Sequence, residues 1–270
     1  MTERPVTGMN EYADFARFYD RLIDIDYDAR ADYLLALLEQ HGGRADTLLD
    51  LACGSGSLTL ALARRGVEMI GVDGSEEMLA LAREKSERCG TLPAPLFLRQ
   101  DMRELDLYGT VNSAVCALDS LNHLLKTDDL RKVFARLSLF IEPGGLLVFD
   151  VNTPYKHRQV LADNAFVFEE ADFLCVWRNR LLARTCEVEM LLDFFVDNGD
   201  GYDRLSDAVR ERAYTEATLR RLLREADFET LAVYGDGTAE QPEAEEERWI
   251  FVARNCTRNY EETGNDRWES

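Results

Sequence analysis

Histidine is scarce in this chain: 3 in 270 residues, with 6 prolines and 3 tryptophans. The 6 cysteines, Cys53, Cys89, Cys116, Cys175, Cys186 and Cys256, include no Cys-x-x-Cys pair. With so few partners of metal-ligand type at metal-ligand spacing, no metal site is expected. Several of the cysteines lie inside apolar runs, where a free thiol behaves as a small hydrophobe. They read as reduced, in a cytoplasmic protein. No run approaches the ~20 apolar residues of a membrane span. Residues 1–10 lack the apolar centre of a signal peptide. Positive charge is also short. Lys and Arg number 31 against 51 Asp and Glu, a formal net charge of −20. Without a Lys/Arg cluster, the chain is poorly suited to gripping a phosphate backbone.

What remains is ordinary globular material. The hydrophobic fraction is 46% and the charged fraction 30%. That excludes a disordered, collagen-like or disulfide-scaffold chain. At about 150 residues per domain, the length implies one or two domains.

Residues 11–41 carry apolar side chains at helical spacing, and Gly42 and Gly43 close that helix. Beyond them, short apolar runs alternate with helical segments. TLLDLA (47–52), VEMIGVD (67–73), 96–100, NSAVCAL (112–118) and LLVFDV (146–151) read as strands. Residues 57–65, 75–89 and 127–140 read as helices between them. This alternation implies βαβ units and a parallel sheet. From about residue 165 the pattern changes to alternating polar and apolar residues, with a turn signal at Asn198-Gly199-Asp200-Gly201. Residues 209–214 read as a further strand, 215–227 as a helix, and 228–234 with 248–253 as a closing pair of strands. Glu243–Glu247 lies in an acidic loop.

The chemistry-bearing signal is the segment Leu48 to Thr59, LLDLACGSGSLT. A strand runs directly into a Gly-x-Gly turn that opens a helix. Gly54 and Gly56 permit a tight turn and close approach of a ligand to the backbone. A dinucleotide fingerprint would have a third glycine at Thr59, and none is there. S-adenosylmethionine, which has no phosphate, fits such a turn. Asp73 ends the second strand, where a carboxylate can accept both hydroxyls of a ribose. Asp101, with Met102 beside it, follows the third strand, where an acceptor suits an adenine amine and a thioether suits the ring.

These pieces resemble the class I S-adenosylmethionine-dependent methyltransferases. LLDLACGSGSLTLALARRG, MIGVDGSEEMLALAREK, FLRQDMREL, VNSAVCALDSLNHL and LFIEPGGLLVFDVNTPYK carry the likeness, over roughly residues 47–156. The chain looks like a bacterial subgroup with an inserted β lid and mostly unassigned substrates. The resemblance implies a Rossmann-like, doubly wound, mostly parallel seven-stranded sheet with an antiparallel last strand, plus a small antiparallel β insertion. It divides the chain into a cofactor-binding domain (1–164 and 215–255, opening with a helical lid), a substrate lid (165–214) and a disordered tail (256–270). It implies that Gly54 and Gly56 line the methionine part of the cofactor, Asp73 the ribose, Asp101 and Met102 the adenine, and that Leu118 lies near the methyl donor. Ala52, Cys53, Gly74 and Met78 are further cofactor-binding candidates. Tyr12, Arg17 and Tyr19 would fold over the cofactor from the N-terminal helix.

The Asn/Asp-Pro-Pro-Tyr motif of DNA and protein amide methyltransferases is replaced after the fourth strand by Leu118-Asp119-Ser120-Leu121. The expected reaction is therefore methyl transfer to a small-molecule acceptor. The alternatives are an RNA or tRNA methyltransferase, a nicotinamide-dependent oxidoreductase and a non-catalytic cofactor-binding module. His123, Tyr155 and His157 are the acid-base candidates. His123 reads first as a helix-capping residue, and Tyr155 and His157 read first as residues of a solvated loop. The sulfonium is already an activated leaving group, so no obligatory catalytic signature is expected.

Overall fold

The structure is a computed structural model that describes residues 18, 20–22 and 25–257. Tyr12, Arg17, Tyr19 and most of the C-terminal tail lie outside the described residues.

Five parallel strands form the centre: β1 (Thr47–Leu51), β2 (Glu68–Asp73), β3 (Leu96–Arg99), β4 (Ser113–Cys116) and β5 (Leu146–Asn152). Two later strands, β10 (Phe228–Gly235) and β11 (Arg248–Asn255), complete a seven-stranded sheet in the order β10-β11-β5-β4-β1-β2-β3. β11 runs antiparallel to both its neighbours.

Covered parallel strands need apolar side chains on both faces. Neighbouring residues divide between the faces with the period of two that a strand imposes. Leu49, Ala114, Phe149 and Phe251 face one core, closed by helices α4 (Thr127–Phe140) and α5 (Glu216–Glu225). Leu48, Val115, Val148 and Val252 face the other, closed by α1 (Tyr27–Gln40) and α2 (Ser57–Ala63). Phe149 and Phe251 stack at 4.9 Å across the β5–β11 pair. The remaining helix, α3 (Glu76–Cys89), starts at Ser75, whose hydroxyl accepts the Met78 N–H at 3.2 Å. It ends at Gly90 in the left-handed conformation that suits glycine.

Between β5 and α5 the chain forms a separate antiparallel sheet of β6 (Ala165–Glu169), β7 (Phe173–Leu182), β8 (Glu187–Asp197) and β9 (Tyr202–Arg212). Phe173, Cys175, Met190 and Phe194 of this sheet pack with Met78 of α3 and with Phe18 and Leu22 of the N-terminal segment. Phe18 stacks on Phe194 at 4.7 Å.

Two expectations are corrected. The helix expected over 11–41 is interrupted before α1: Asp26 has extended backbone, and its carboxylate accepts the Ala29 N–H at 2.9 Å. An N-cap of this kind starts a new helix. The strand expected at 209–214 begins earlier, because β9 pairs with β8 from Tyr202 onward.

Candidate active site

Because β1, β2, β4 and β5 are parallel, their carboxyl ends meet at one edge, where open α/β sheets bind ligands. At the end of β1 the backbone becomes left-handed at Ala52, Gly54 and Gly56 (φ 60°, 53° and 75°). The two glycines serve different ends. A Cβ at Gly54 would meet nothing within 4 Å, so this glycine leaves open space. A Cβ at Gly56 would lie 2.7 Å from that of Ala82 on α3, so this glycine permits helix packing. Cys53 is buried against Leu79, Ala82 and Phe97, and burial pushes its thiol up. It is a packing residue rather than an activated thiolate.

Asp73 reaches the same turn. Its carboxylate accepts the N–H of Gly54 and the N–H of Ser75, each at 2.8 Å. Burial raises its pKa, and the backbone N–H groups of Ser75, Gly54 and Gly74 act in the opposite direction. A carboxylate has about four acceptor positions, so these backbone donors leave room for a ligand hydroxyl.

A cavity opens beside the turn, lined by Tyr27, Asp50, Ala52, Gly54, Ala117 and Leu118, among others. Asp50 lies under it in β1, accepting the Thr59 hydroxyl at 2.6 Å, and burial pushes it up to about 7. At the rim, Asp20 accepts the Ser55 hydroxyl at 2.7 Å and pairs with Lys85 at 2.5 Å, tying the N-terminal segment to the glycine turn.

Asp101 and Met102 stand at the next strand end. Asp101 accepts the Arg103 N–H at 2.8 Å, and its ion pair with the Arg103 guanidinium holds its pKa below the ordinary carboxylate value. Met102 is half-buried against the core. The Met78 side chain is buried with Phe173, Met190 and Phe194 of the antiparallel sheet.

At the ends of β4 and β5, Leu118 and Asp119 are both left-handed, with φ of 58° and 52°. The short helical turn Ser120–His123 follows. The Nε2 of His123 lies 3.9 Å from Glu211 of β9. Glu211 is buried; its carboxylate accepts Asn152 Nδ2 at 3.0 Å and lies 3.5 Å from His157 Nε2. Burial works against its charge, but His157, His123 and Asn152 outweigh that and hold the carboxyl below the ordinary carboxylate range.

The expectation of a solvated loop at His157 is wrong. The ring is fully buried, and its Nδ1 donates to the Cys186 carbonyl at 3.1 Å. The second sheet brings both partners. Tyr155 is half-exposed, with its pKa raised by burial and by Glu245 and Glu247.

Asp119, His123 and Glu211 place one possible ligand atom each within 4.8 Å of one another. Arg248 already supplies a cation to Asp119 at 2.6 Å. Among the residues that sequence reasoning passed over are Asp50, Asp150, Glu211 and Arg248. The first two carried a readable signal: each is a lone acid inside an apolar strand, where burial demands a partner.

The parallel sheet with its antiparallel β11, the glycine turn and the acid at the end of β2 define a class I S-adenosylmethionine-dependent methyltransferase, and the chain belongs to that family. The family described as "Methyltransferase domain" matches residues 48–145. The chain is 34% identical over 247 residues to YqeM of Bacillus subtilis (strain 168), itself assigned only provisionally as a methyltransferase; the match covers 90% of this chain and 96% of that protein. It is 27% identical over 247 residues to a glycine/sarcosine N-methyltransferase of Halorhodospira halochloris, covering 90% and 88%. A crystal structure of an S-adenosylmethionine-dependent methyltransferase from Clostridium acetobutylicum ATCC 824 superposes with a TM-score of 0.81 at 32% identity, covering 91% of this chain and 99% of that one. Among the described residues no helix is long and apolar enough to cross a membrane.

Proposed function

We propose that this methyltransferase acts on a nitrogen of a small molecule, in the cytoplasm. The observation that carries the reading is the pairing of His123 with the buried Glu211, in the turn that follows β4 at the carboxyl edge of the sheet. An amine in water is mostly an ammonium ion and must lose a proton before it can attack a methyl group. His123 is the group to accept that proton, with the Glu211 carboxylate 3.9 Å from its Nε2. The glycine/sarcosine N-methyltransferase relative supports a nitrogen acceptor. The RNA alternative is disfavoured by the net charge of −20.

When bound, S-adenosylmethionine supplies a methyl group already activated by a sulfonium. The residues present fit it. Gly54 leaves the space a backbone approach needs, Asp73 keeps an acceptor position for the ribose, and Asp101 and Met102 lie at the end of β3 on the adenine side, where the Asp101–Arg103 pair would have to open to admit the amine. Ala52, Cys53, Gly56 and Gly74 shape the turn around it, and Leu118 walls the donor side. The enzyme's remaining task is to align donor and acceptor and exclude water. The antiparallel sheet supplies the second wall.

Radiolabelled methyl transfer tests the reading, with glycine, sarcosine, amino sugars, hydroxyl analogues and bulk tRNA as acceptors. Label in an amine, reduced at least a hundredfold by His123→Asn, is the expected result. Label only in tRNA would overturn it.

A further inference from the structure

We propose that Asp150 and Arg248 are positioning residues for the methyl donor, holding the loop after β4 in the shape that forms the donor cavity. The proposal rests on the reading above that this cavity takes the donor.

Leu118 and Asp119 are successive non-glycine residues with left-handed backbone. Side chains disfavour that conformation, and it persists where surrounding structure imposes it. Here the imposing group is visible. Asp150 of β5, only 2% exposed, accepts the Leu118 N–H at 2.8 Å and the Asp119 N–H at 2.6 Å. Two successive amides converge on one buried anion, as in the backbone concavities that bind free anions.

A buried carboxylate needs a counter-charge, and β11 provides it. Arg248 pairs in register with Asn152, which makes it the diagonal cross-strand neighbour of Asp150. Its guanidinium bonds Asp150 and also Asp119, the latter at 2.6 Å. One fork therefore grips both the anchor and the loop it anchors. The network continues outward: Arg248 lies 3.8 Å from Asp236, which Arg30 of α1 holds at 2.7 Å.

The anchored residues border the donor. Leu118 shares the cavity wall with Gly54. Released from Asp150, the left-handed pair relaxes toward ordinary backbone, and the wall moves with it. Asn at position 150 keeps the shape but offers one acceptor atom for two amides. Lys at position 248 keeps the charge but loses the fork.

The test uses the full chain as wild type, Asp150→Asn, Arg248→Lys and Asp73→Ala. S-adenosylhomocysteine affinity is measured by calorimetry and amide protection by hydrogen exchange. Both anchor variants are expected to bind at least tenfold more weakly. Protection should be lost at Leu118 and Asp119 while β1 and β5 stay protected. A smaller loss in either variant, or a loss accompanied by uniform deprotection of the seven-stranded sheet, overturns the proposal. If Asp73→Ala binds like wild type, the reading of the cavity fails instead. If Asp73→Ala is weakened and Asp150→Asn is not, only this proposal fails.

Discussion

The carboxylate of Asp73 accepts the N–H of Gly54 at 2.8 Å. Two features on different strands, an acid closing β2 and a glycine turn leaving β1, therefore form one unit. The acid orients the amide that it meets, and the glycine leaves the space beside it open. Asp150 does for the loop after β4 what Asp73 does for the turn after β1: each is a strand acid whose charge holds the backbone of a neighbouring loop.

The two turn glycines should respond differently to the same substitution. Gly56→Ala places a methyl group 2.7 Å from the Ala82 Cβ in a left-handed position, and should cost about 2–4 kcal/mol of stability. Gly54→Ala meets nothing and should cost about 1 kcal/mol, the strain of the backbone alone. It should nonetheless weaken S-adenosylhomocysteine binding at least tenfold. Denaturant unfolding and calorimetry on the two variants check both halves. A Gly54 variant that binds normally would mean the open space is not the donor's.

Asp50 makes stability depend on pH. Burial pushes it up to about 7, against about 4 in the unfolded chain. Between those values the folded state holds a proton that the unfolded state releases. The contribution is therefore fully present below about pH 4 and is lost as pH rises through 7. Asn at this position is neutral throughout. The stability of Asp50→Asn relative to wild type should rise by roughly 3 kcal/mol between pH 4 and pH 8.5. Thermal midpoints across that range would show it, at about 2–4 °C per kcal/mol for a chain of this size. A difference independent of pH would count against a protonated Asp50.

Glu211 behaves in the opposite sense. Its carboxyl is held below the unfolded value of about 4.5, so its stabilisation is present above about pH 4.5 and is lost as pH falls below it. Glu211→Ala removes the anion between two imidazoles and strands Asn152 Nδ2 in the interior. The expected cost near pH 7 is about 3 kcal/mol, narrowing as pH falls below the carboxylate range. A variant as stable as wild type at pH 7 would contradict the role given to this carboxylate.

Much of this molecule is legible in its sequence, because its strongest signals are local. The strand-turn-helix at Leu48–Thr59 and the acid at Asp73 depend on residues close in the chain, and the resemblance of residues 47–156 follows from them. The antiparallel sheet is legible as alternation plus the Asn198–Gly201 turn. The environment of His157 is not, since its partners Cys186 and Glu211 arrive on the second sheet. Nor is the different work of Gly54 and Gly56, which depends on where Ala82 of α3 comes to rest. The break before α1 is not legible, because Tyr, Phe and Leu keep helical spacing across it, while the deciding feature is one capping carboxylate at Asp26. Asp150 reads as part of an apolar strand, and its partners Leu118, Asp119 and Arg248 belong to two other segments.

The central claim is that Asp73 and the glycine turn hold the methyl donor. Calorimetry with S-adenosylhomocysteine, and with NAD as control, on wild type and Asp73→Ala tests it most directly. The account predicts one site for the adenosyl ligand, at least tenfold weaker in Asp73→Ala, and none for NAD. Unchanged affinity in Asp73→Ala, or preferential binding of NAD, would contradict it.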